Sequence, residues 1–205
     1  MNYHKPVLLN ESLDSLEIRG NGVYVDMTYG GGGHSREILN RLGSNGKLIA
    51  FDQDLDSESN IINDERLFFF RQNNIFLMQT LEYLKIRKVD GILADLGVSS
   101  HQLDKKNRGF SFHPGYKLDM RMNQNQNLDA IQVINNYSES ELSNLFYLNG
   151  DLKNSKKIAK KICKERENKK ITMSNDLNYV LETFFSVNTK NSFLARVYQS
   201  IRIEV

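Results

Sequence analysis

The stretch Asp26-Met27-Thr28-Tyr29-Gly30-Gly31-Gly32-Gly33-His34-Ser35 decides how this chain folds. Before it, residues 22–26 form an apolar, β-branched run of the kind that makes a buried strand. After it, Ile38, Leu39 and Leu42 recur at helical spacing, and Gly43 is a stop signal. Strand, glycine turn and helix in that order make a ligand cradle. Glycines 30 to 33 lack a Cβ, so backbone N–H groups can approach a ligand closely and the chain can take positive φ. The helix that follows directs its positive end at the same place.

A glycine loop alone has two readings, a turn that merely needs glycine and a nucleotide cradle. The strict dinucleotide pattern fails, because Ser35 stands where the third glycine of Gly30-x-Gly32-x-x-Gly belongs. Asp26, Thr28, Gly30 and Gly32 instead fit D-x-T-x-G-x-G, which resembles the first motif of class I S-adenosylmethionine (SAM) methyltransferases. Residues 46–52 read as a second strand, and Asp52 ends it 22 residues after Gly30. That is close to the spacing at which an acidic residue meets ribose hydroxyls. A carboxylate accepts from both hydroxyls of an unphosphorylated ribose, whereas a 2′-phosphate would be repelled.

Residues 66–71 read as a third strand, with 72–76 as its exit loop. The Phe76 ring is expected either against an adenine or packed beneath that loop. A helix through Leu77, Leu81 and Leu84 leads to residues 90–97, a fourth strand carrying Asp95 to its carboxyl end. In open α/β sheets ligands sit beyond the carboxyl ends of the strands, and Asp26, Asp52, Phe76 and Asp95 are all expected there.

At 205 residues the chain has room for one substantial domain, or one domain with a smaller insert. Its 40% hydrophobic and 25% charged content excludes the disordered and fibrous classes. The single cysteine, Cys163, excludes an internal disulfide. No apolar run reaches membrane-spanning length and the amino terminus has no signal-peptide core, so a cytoplasmic location is expected. Net charge is +2, but residues 151–170 hold nine Lys/Arg against Asp151, Glu165 and Glu167. That segment is therefore +6 and the rest −4, an asymmetry that permits an anionic partner. Twelve of the 13 glycines lie at or before Gly115, and both prolines precede Tyr116. The shift sets a boundary between Asp104 and Tyr116, separating a turn-rich α/β part from a helical one.

Three blocks point to a family: Asp95-Leu96-Gly97-Val98-Ser99-Ser100, Arg108-Gly109-Phe110-Ser111-Phe112 and Leu118-Asp119-Met120-Arg121-Met122. With the glycine loop and His4-x-Pro6-Val7-Leu8-Leu9-x-Glu11, they closely resemble the MraW/RsmH family, from His4 to the last residue. Members of that family are bacterial methyltransferases that use SAM to methylate N4 of a cytosine in 16S ribosomal RNA, at the decoding centre. The resemblance implies an α/β fold, the Rossmann-like sheet of class I SAM methyltransferases, here only its first four strands, with an inserted all-helical domain. Residues 1–104 would be the SAM-binding part, 105–190 the helical insert, and 191–205 a helix returning to the methyltransferase domain. The implied cofactor site comprises Gly32, Gly33 and His34 in the loop, Asp52 at the ribose, Phe76 beside the adenine, and Asp95 and Gln102 near the methyl donor and methionine portion. No metal is implied. The implied partner is 16S rRNA or the small ribosomal subunit, with the oligomeric state left open. Asn123, where an acidic residue is usual, and Ala195-Arg196-Val197-Tyr198-Gln199 are mild departures.

Beyond Asn127 the text is helical. Ala130, Val133 and Ile134 make one apolar face, and Ser138-Glu139-Ser140-Glu141 is a capping box. Ile158, Ala159, Ile162 and Cys163 form a buried stripe, with Lys157, Lys160, Lys161 and Lys164 opposite as a solvated face or a phosphate contact. Leu177, Val180, Leu181 and Phe184 mark a further helix, and Leu194, Val197, Tyr198, Ile201 and Val205 a last one. Four strands are readable where the class has seven, so a partial chain with an unpaired edge beside strand four is expected.

Methyl transfer from a sulfonium is a direct displacement, in which positioning is the main task. The cytosine amine is a weak nucleophile, and acceptors on its N–H groups would help as positive charge develops. Asp95, or carbonyls of residues 96–99, are the candidates, since the D/S/N-P-P-Y/W/F motif of DNA N4 methylases is absent. Arg108, Phe110 and Phe112 offer planes for a flipped base, or else form a packed hinge. Ser99, Ser100 and His101 lack the matched partners of nucleophilic catalysis. Two other functions share these features, a NAD-dependent oxidoreductase and a non-catalytic methylase-like RNA-binding protein. Ser35 and the lack of a hydride-transfer pair count against the first.

Overall fold

The computed structural model describes residues 6–205, so His4 of the amino-terminal motif lies outside the described residues. Two compact units divide between Gly97 and Val98. The first contains α1 (Leu9–Ser15), β1 (Val23–Asp26), α2 (Gly33–Arg41), β2 (Lys47–Asp52), β3 (Leu67–Arg71), α3 (Leu77–Tyr83) and β4 (Gly91–Leu93). Short 3₁₀ turns cover Leu55–Asn60 and Asn74–Phe76.

The strands are parallel in the order β3-β2-β1-β4. Val25 lies between Ile49 on β2 and Ile92 on β4. Both faces of the two inner strands are covered, which is why β1 and β2 read as almost unbroken apolar runs. On one face Tyr24 and Leu48 pack with Leu13 of α1 and Ile38 and Leu39 of α2. On the other, Val25, Ile49 and Phe51 pack with Leu77 and Leu81 of α3. The chain winds outward from β1 through β2 to β3, then crosses back to β4 on the far side of β1. The β1–β4 boundary is thus the topological switch point, where such sheets open a crevice at their carboxyl ends.

Strand four is shorter than residues 90–97 suggest. Only Gly91–Leu93 pair, and Asp95 lies two residues past the last of them. Among the described residues β4 has a partner only in β1, which leaves Ile92 49% exposed and gives the ladder nothing to continue on.

The second unit is helical: α4 (Ser100–Asp104), α5 (Ala130–Asn136), α6 (Glu139–Leu148), α7 (Ser155–Asn168), α8 (Ser174–Leu181) and α9 (Lys190–Glu204). The capping box forms at α6, with Glu141 N–H on Ser138 Oγ (3.3 Å) and Ser138 N–H on Glu141 Oε2 (2.7 Å). Leu194, Val197 and Ile201 of α9 are fully buried among Phe146, Ile158 and Leu177. Val98 and Leu103 pack against the same cluster. Where the sequence reading drew divisions at 104 and 191, α4 and α9 both fall in the compact unit that begins at Val98, with apolar side chains packed into its core.

The Arg108–Phe112 and Leu118–Met122 blocks lock together. Met120 N–H donates to the Arg108 carbonyl (2.8 Å) and Leu118 N–H to the Thr172 carbonyl (2.9 Å). At Gly109 (φ 72°) an added Cβ would lie 1.9 Å from the Lys117 carbonyl oxygen. Arg108 is buried over the Phe110 ring and donates Nη2 to the Arg121 carbonyl (3.0 Å). Phe112 meets Tyr198 edge-on. The platform reading of Arg108 and Phe110 is overturned: both are buried in the core, and a base cannot stack on planes that water does not reach.

Candidate active site at the carboxyl rim

Asp26 ends β1 fully buried. Its Oδ1 accepts from Thr28 N–H (3.0 Å) and its Oδ2 from Ser35 Oγ (2.6 Å). Burial pushes the carboxyl above its ordinary value, outweighing the pull of those two donors. Ser35 is therefore more than a missing glycine, since it ties the first turn of α2 back to the end of β1.

The glycine loop is closed by backbone. Tyr29 N–H donates to the Phe51 carbonyl (2.9 Å), and Gly32 N–H to the Tyr29 carbonyl (2.8 Å). The Tyr29 hydroxyl donates to the Asn60 carbonyl (2.7 Å) and accepts from Ile62 N–H (3.0 Å). Gly32 takes φ +73° as the residue before α2, and a Cβ there would sit 2.7 Å from that hydroxyl. Only glycine fits. In the next turn His34 is buried, and its Nε2 has no hydrogen-bond partner among the described residues. A buried polar atom left unpaired calls for an explanation, and a ligand is one.

Asp52, at the end of β2, accepts Gly30 N–H on Oδ2 (2.7 Å) and Asp54 N–H on Oδ1 (2.8 Å). Burial raises its carboxyl despite these two donors. A carboxylate has about four lone-pair sites, so each oxygen retains one for a hydroxyl. The 3₁₀ turn after β3 leaves the Phe76 ring 44% exposed. That turn is held by Asn73, which caps Ile75 N–H (3.0 Å), and by Asn74 Nδ2 on the Met27 carbonyl (3.3 Å). Asp95 is exposed, and its backbone N–H donates to Thr28 Oγ1 (2.8 Å).

Hydrogen bonds thus join the glycine loop to Asp52, and the loop after β1 to the one after β4. The Phe76 turn is tied to the same β1 exit. Gln102 belongs to the second unit, where its Oε1 accepts Ser99 N–H (3.0 Å) in the capping box of α4 and its amide meets Met122 Sδ (3.3 Å). The sequence reading gave no role to the hydroxyls of Thr28, Tyr29 and Ser35. Their partners lie up to 67 residues away, beyond any local pattern. Among the described residues no group of three or more His, Cys, Asp or Glu is placed to hold a metal, and no helix is long and apolar enough to cross a membrane.

A parallel sheet wound both ways from β1, with a glycine loop and acidic residues at the switch point, defines a Rossmann-like α/β protein with the fold of class I SAM methyltransferases. A profile of the MraW methylase family matches residues 1–205, and the chain belongs to that family. It is 51% identical over 205 residues to Ribosomal RNA small subunit methyltransferase H of Christiangramia forsetii, covering 100% of this chain and 68% of the relative. The protein of the same name from Bacteroides fragilis (strain YCH46) is 50% identical over 203 residues, 99% of this chain and 67% of its own length. That of Flavobacterium johnsoniae is 48% identical over 205 residues, 100% and 68%. The chain spans about two thirds of the length of these curated relatives.

Proposed function

We propose that the chain holds SAM at the carboxyl rim of the first unit and serves the methylation of a cytosine N4 amine in 16S ribosomal RNA. The observation that carries the reading is the Gly30 N–H···Asp52 bond, which holds an acidic group of β2 beside the glycine loop that leaves β1 at the carboxyl rim. Membership of the MraW methylase family supports it, as do the relatives' names, which specify ribosomal RNA of the small subunit.

The residues present suit the group. His34 offers a buried, unpartnered Nε2, and Gly32 a cradle that a Cβ would fill. Asp52 keeps acceptor sites for two ribose hydroxyls, and the exposed Phe76 ring offers an adenine a face. Bound SAM would supply an electrophilic methyl on a sulfonium. The chain's part is alignment, worth most when groups are held in fixed geometry. Asp95 is exposed and its backbone N–H is held by Thr28, which leaves its side-chain oxygens open to accept an amine N–H.

Calorimetry with SAM and with NAD tests the cofactor, and tritium transfer from labelled SAM to small ribosomal subunits tests the reaction. SAM binding without NAD binding is expected. NAD binding without SAM binding would reject the reading.

A further inference from the structure

Backbone pairing between β1 and β4 stops just short of Asp95. Its last step is Met27 N–H on the Leu93 carbonyl (2.8 Å), and residues 94–97 beyond it are all exposed. Had the slanted pattern of a parallel ladder continued, Asp95 N–H would reach the Met27 carbonyl next. That carbonyl instead accepts Asn74 Nδ2 (3.3 Å) from the Phe76 turn. Asp95 N–H turns to a side chain, the Thr28 hydroxyl, whose Oγ1 accepts it at 2.8 Å. Among the described residues this is the only hydrogen bond that ties residues 94–97 to the sheet.

Thr28 is itself anchored. Its N–H donates to the fully buried Asp26 carboxylate (3.0 Å), and its branched Cβ restricts χ1, so the hydroxyl stays where the exit of β1 puts it. The Asp95 carboxylate has no hydrogen bond or ion pair of its own among the described residues. Past the ladder, what locates that carboxylate is its backbone, and what locates the backbone is Thr28.

We propose that Thr28 is a positioning residue for methyl transfer: by accepting Asp95 N–H it holds the Asp95 carboxylate at the switch point for the cytosine amine. The proposal rests on the functional reading above, in which Asp95 receives an amine N–H. Thr28 acts through Asp95 and not on the reacting atoms, so its loss should fall on the rate of transfer and not on the affinity for SAM.

The test compares Thr28→Val, which keeps the shape but removes the acceptor, with Thr28→Ser, which keeps the acceptor. In Thr28→Val the Asp95 amide should exchange with deuterium about fivefold faster, through the loss of one hydrogen bond, while amides of residues 24–26 and 48–51 hold their native rates. Tritium transfer from labelled SAM to small ribosomal subunits should fall about tenfold or more in kcat, with calorimetric SAM affinity within about twofold of native. Thr28→Ser should recover most of both losses. On an Asp95→Ala background Thr28→Val should add no further loss, because the two residues act as one unit. If Val at this position prevents folding, Thr28→Ala carries the same comparison. A native exchange rate at Asp95, a native kcat, or a loss that multiplies that of Asp95→Ala overturns the proposal. So does weakened SAM binding with kcat intact. Transfer by the native chain that Thr28→Val matches strikes the proposal alone. No transfer by the native chain strikes the methyltransferase reading, and the proposal with it.

Discussion

Both units bury aspartates, and they satisfy them differently. Asp119 in the helical unit faces a guanidinium, with Arg121 Nη2 on Oδ2 (2.7 Å) and Nε on Oδ1 (2.9 Å). Burial pulls its carboxyl upward, but the Arg121 bonds and charge outweigh that and hold it below the ordinary value. Asp26 and Asp52 at the sheet rim receive only neutral N–H and O–H donors, and burial leaves both above the ordinary value. A paired aspartate is finished and structural. An aspartate held without a cation is a costly arrangement to keep unless something else uses it, which is why perturbed carboxyls gather at sites.

The contrast can be tested hardest through the blocks that build the structural pair. Gly109→Ala drives a Cβ into the Lys117 carbonyl at a left-handed φ, and should lower stability by on the order of 4 kcal/mol in urea titration. A shift under about 1 kcal/mol would mean the block is looser than described.

Arg121→Met leaves Asp119 buried without its cation and should cost about 2–3 kcal/mol, less than for a fully dry pair because Arg121 is partly exposed. The pH dependence follows from the lowered folded value. The pair's contribution is complete above the unfolded carboxylate range near pH 4 and is lost as pH falls through the lower folded value. Native and variant stabilities should therefore converge in strong acid, as read by denaturation at stepped pH.

At the rim the expected loss is of ligand rather than fold. Asp52→Ala should weaken SAM binding by about 1–3 kcal/mol in calorimetry while the thermal transition survives. Unchanged affinity would remove Asp52 from the site. Ser35→Ala takes one donor from Asp26 and should cost about 1–2 kcal/mol at neutral pH. Since Asp26 already titrates above the ordinary value, that loss should fade at a higher pH than the Arg121 loss does. Loss at the same pH for both would erase the distinction between the two aspartates.

The parallel sheet was legible because β1 and β2 are buried on both faces, and their residues say so. The place of Asp52 at the carboxyl end of β2 was legible from its spacing after Gly30, whereas its bond to Gly30 N–H was not. Ser35 was read as a broken glycine pattern, since a pattern records which residue is missing and not what its replacement bonds to. Arg108 and Phe110 suggested a nucleic-acid platform because a cation beside aromatics has the same composition whether exposed or packed. Their burial depends on strand-like contacts with residues 117–122 and 172, which no local period encodes. The unit boundary was drawn from glycine usage, which marks where turns stop rather than where cores divide. Strand four was overextended for a related reason, because apolar text does not reveal where a ladder runs out of partners.

The arrangement of the sheet sets an order of opening. Strands β1 and β2 have neighbours on both sides, and from them spring the glycine loop and Asp52. Asp95 follows a three-residue edge strand held by β1 and one bond to Thr28. Deuterium should therefore reach the amides of residues 91–95 well before those of 24–26 and 48–51, whose exchange should wait for global unfolding. Such a rim has one fixed jaw and one that yields.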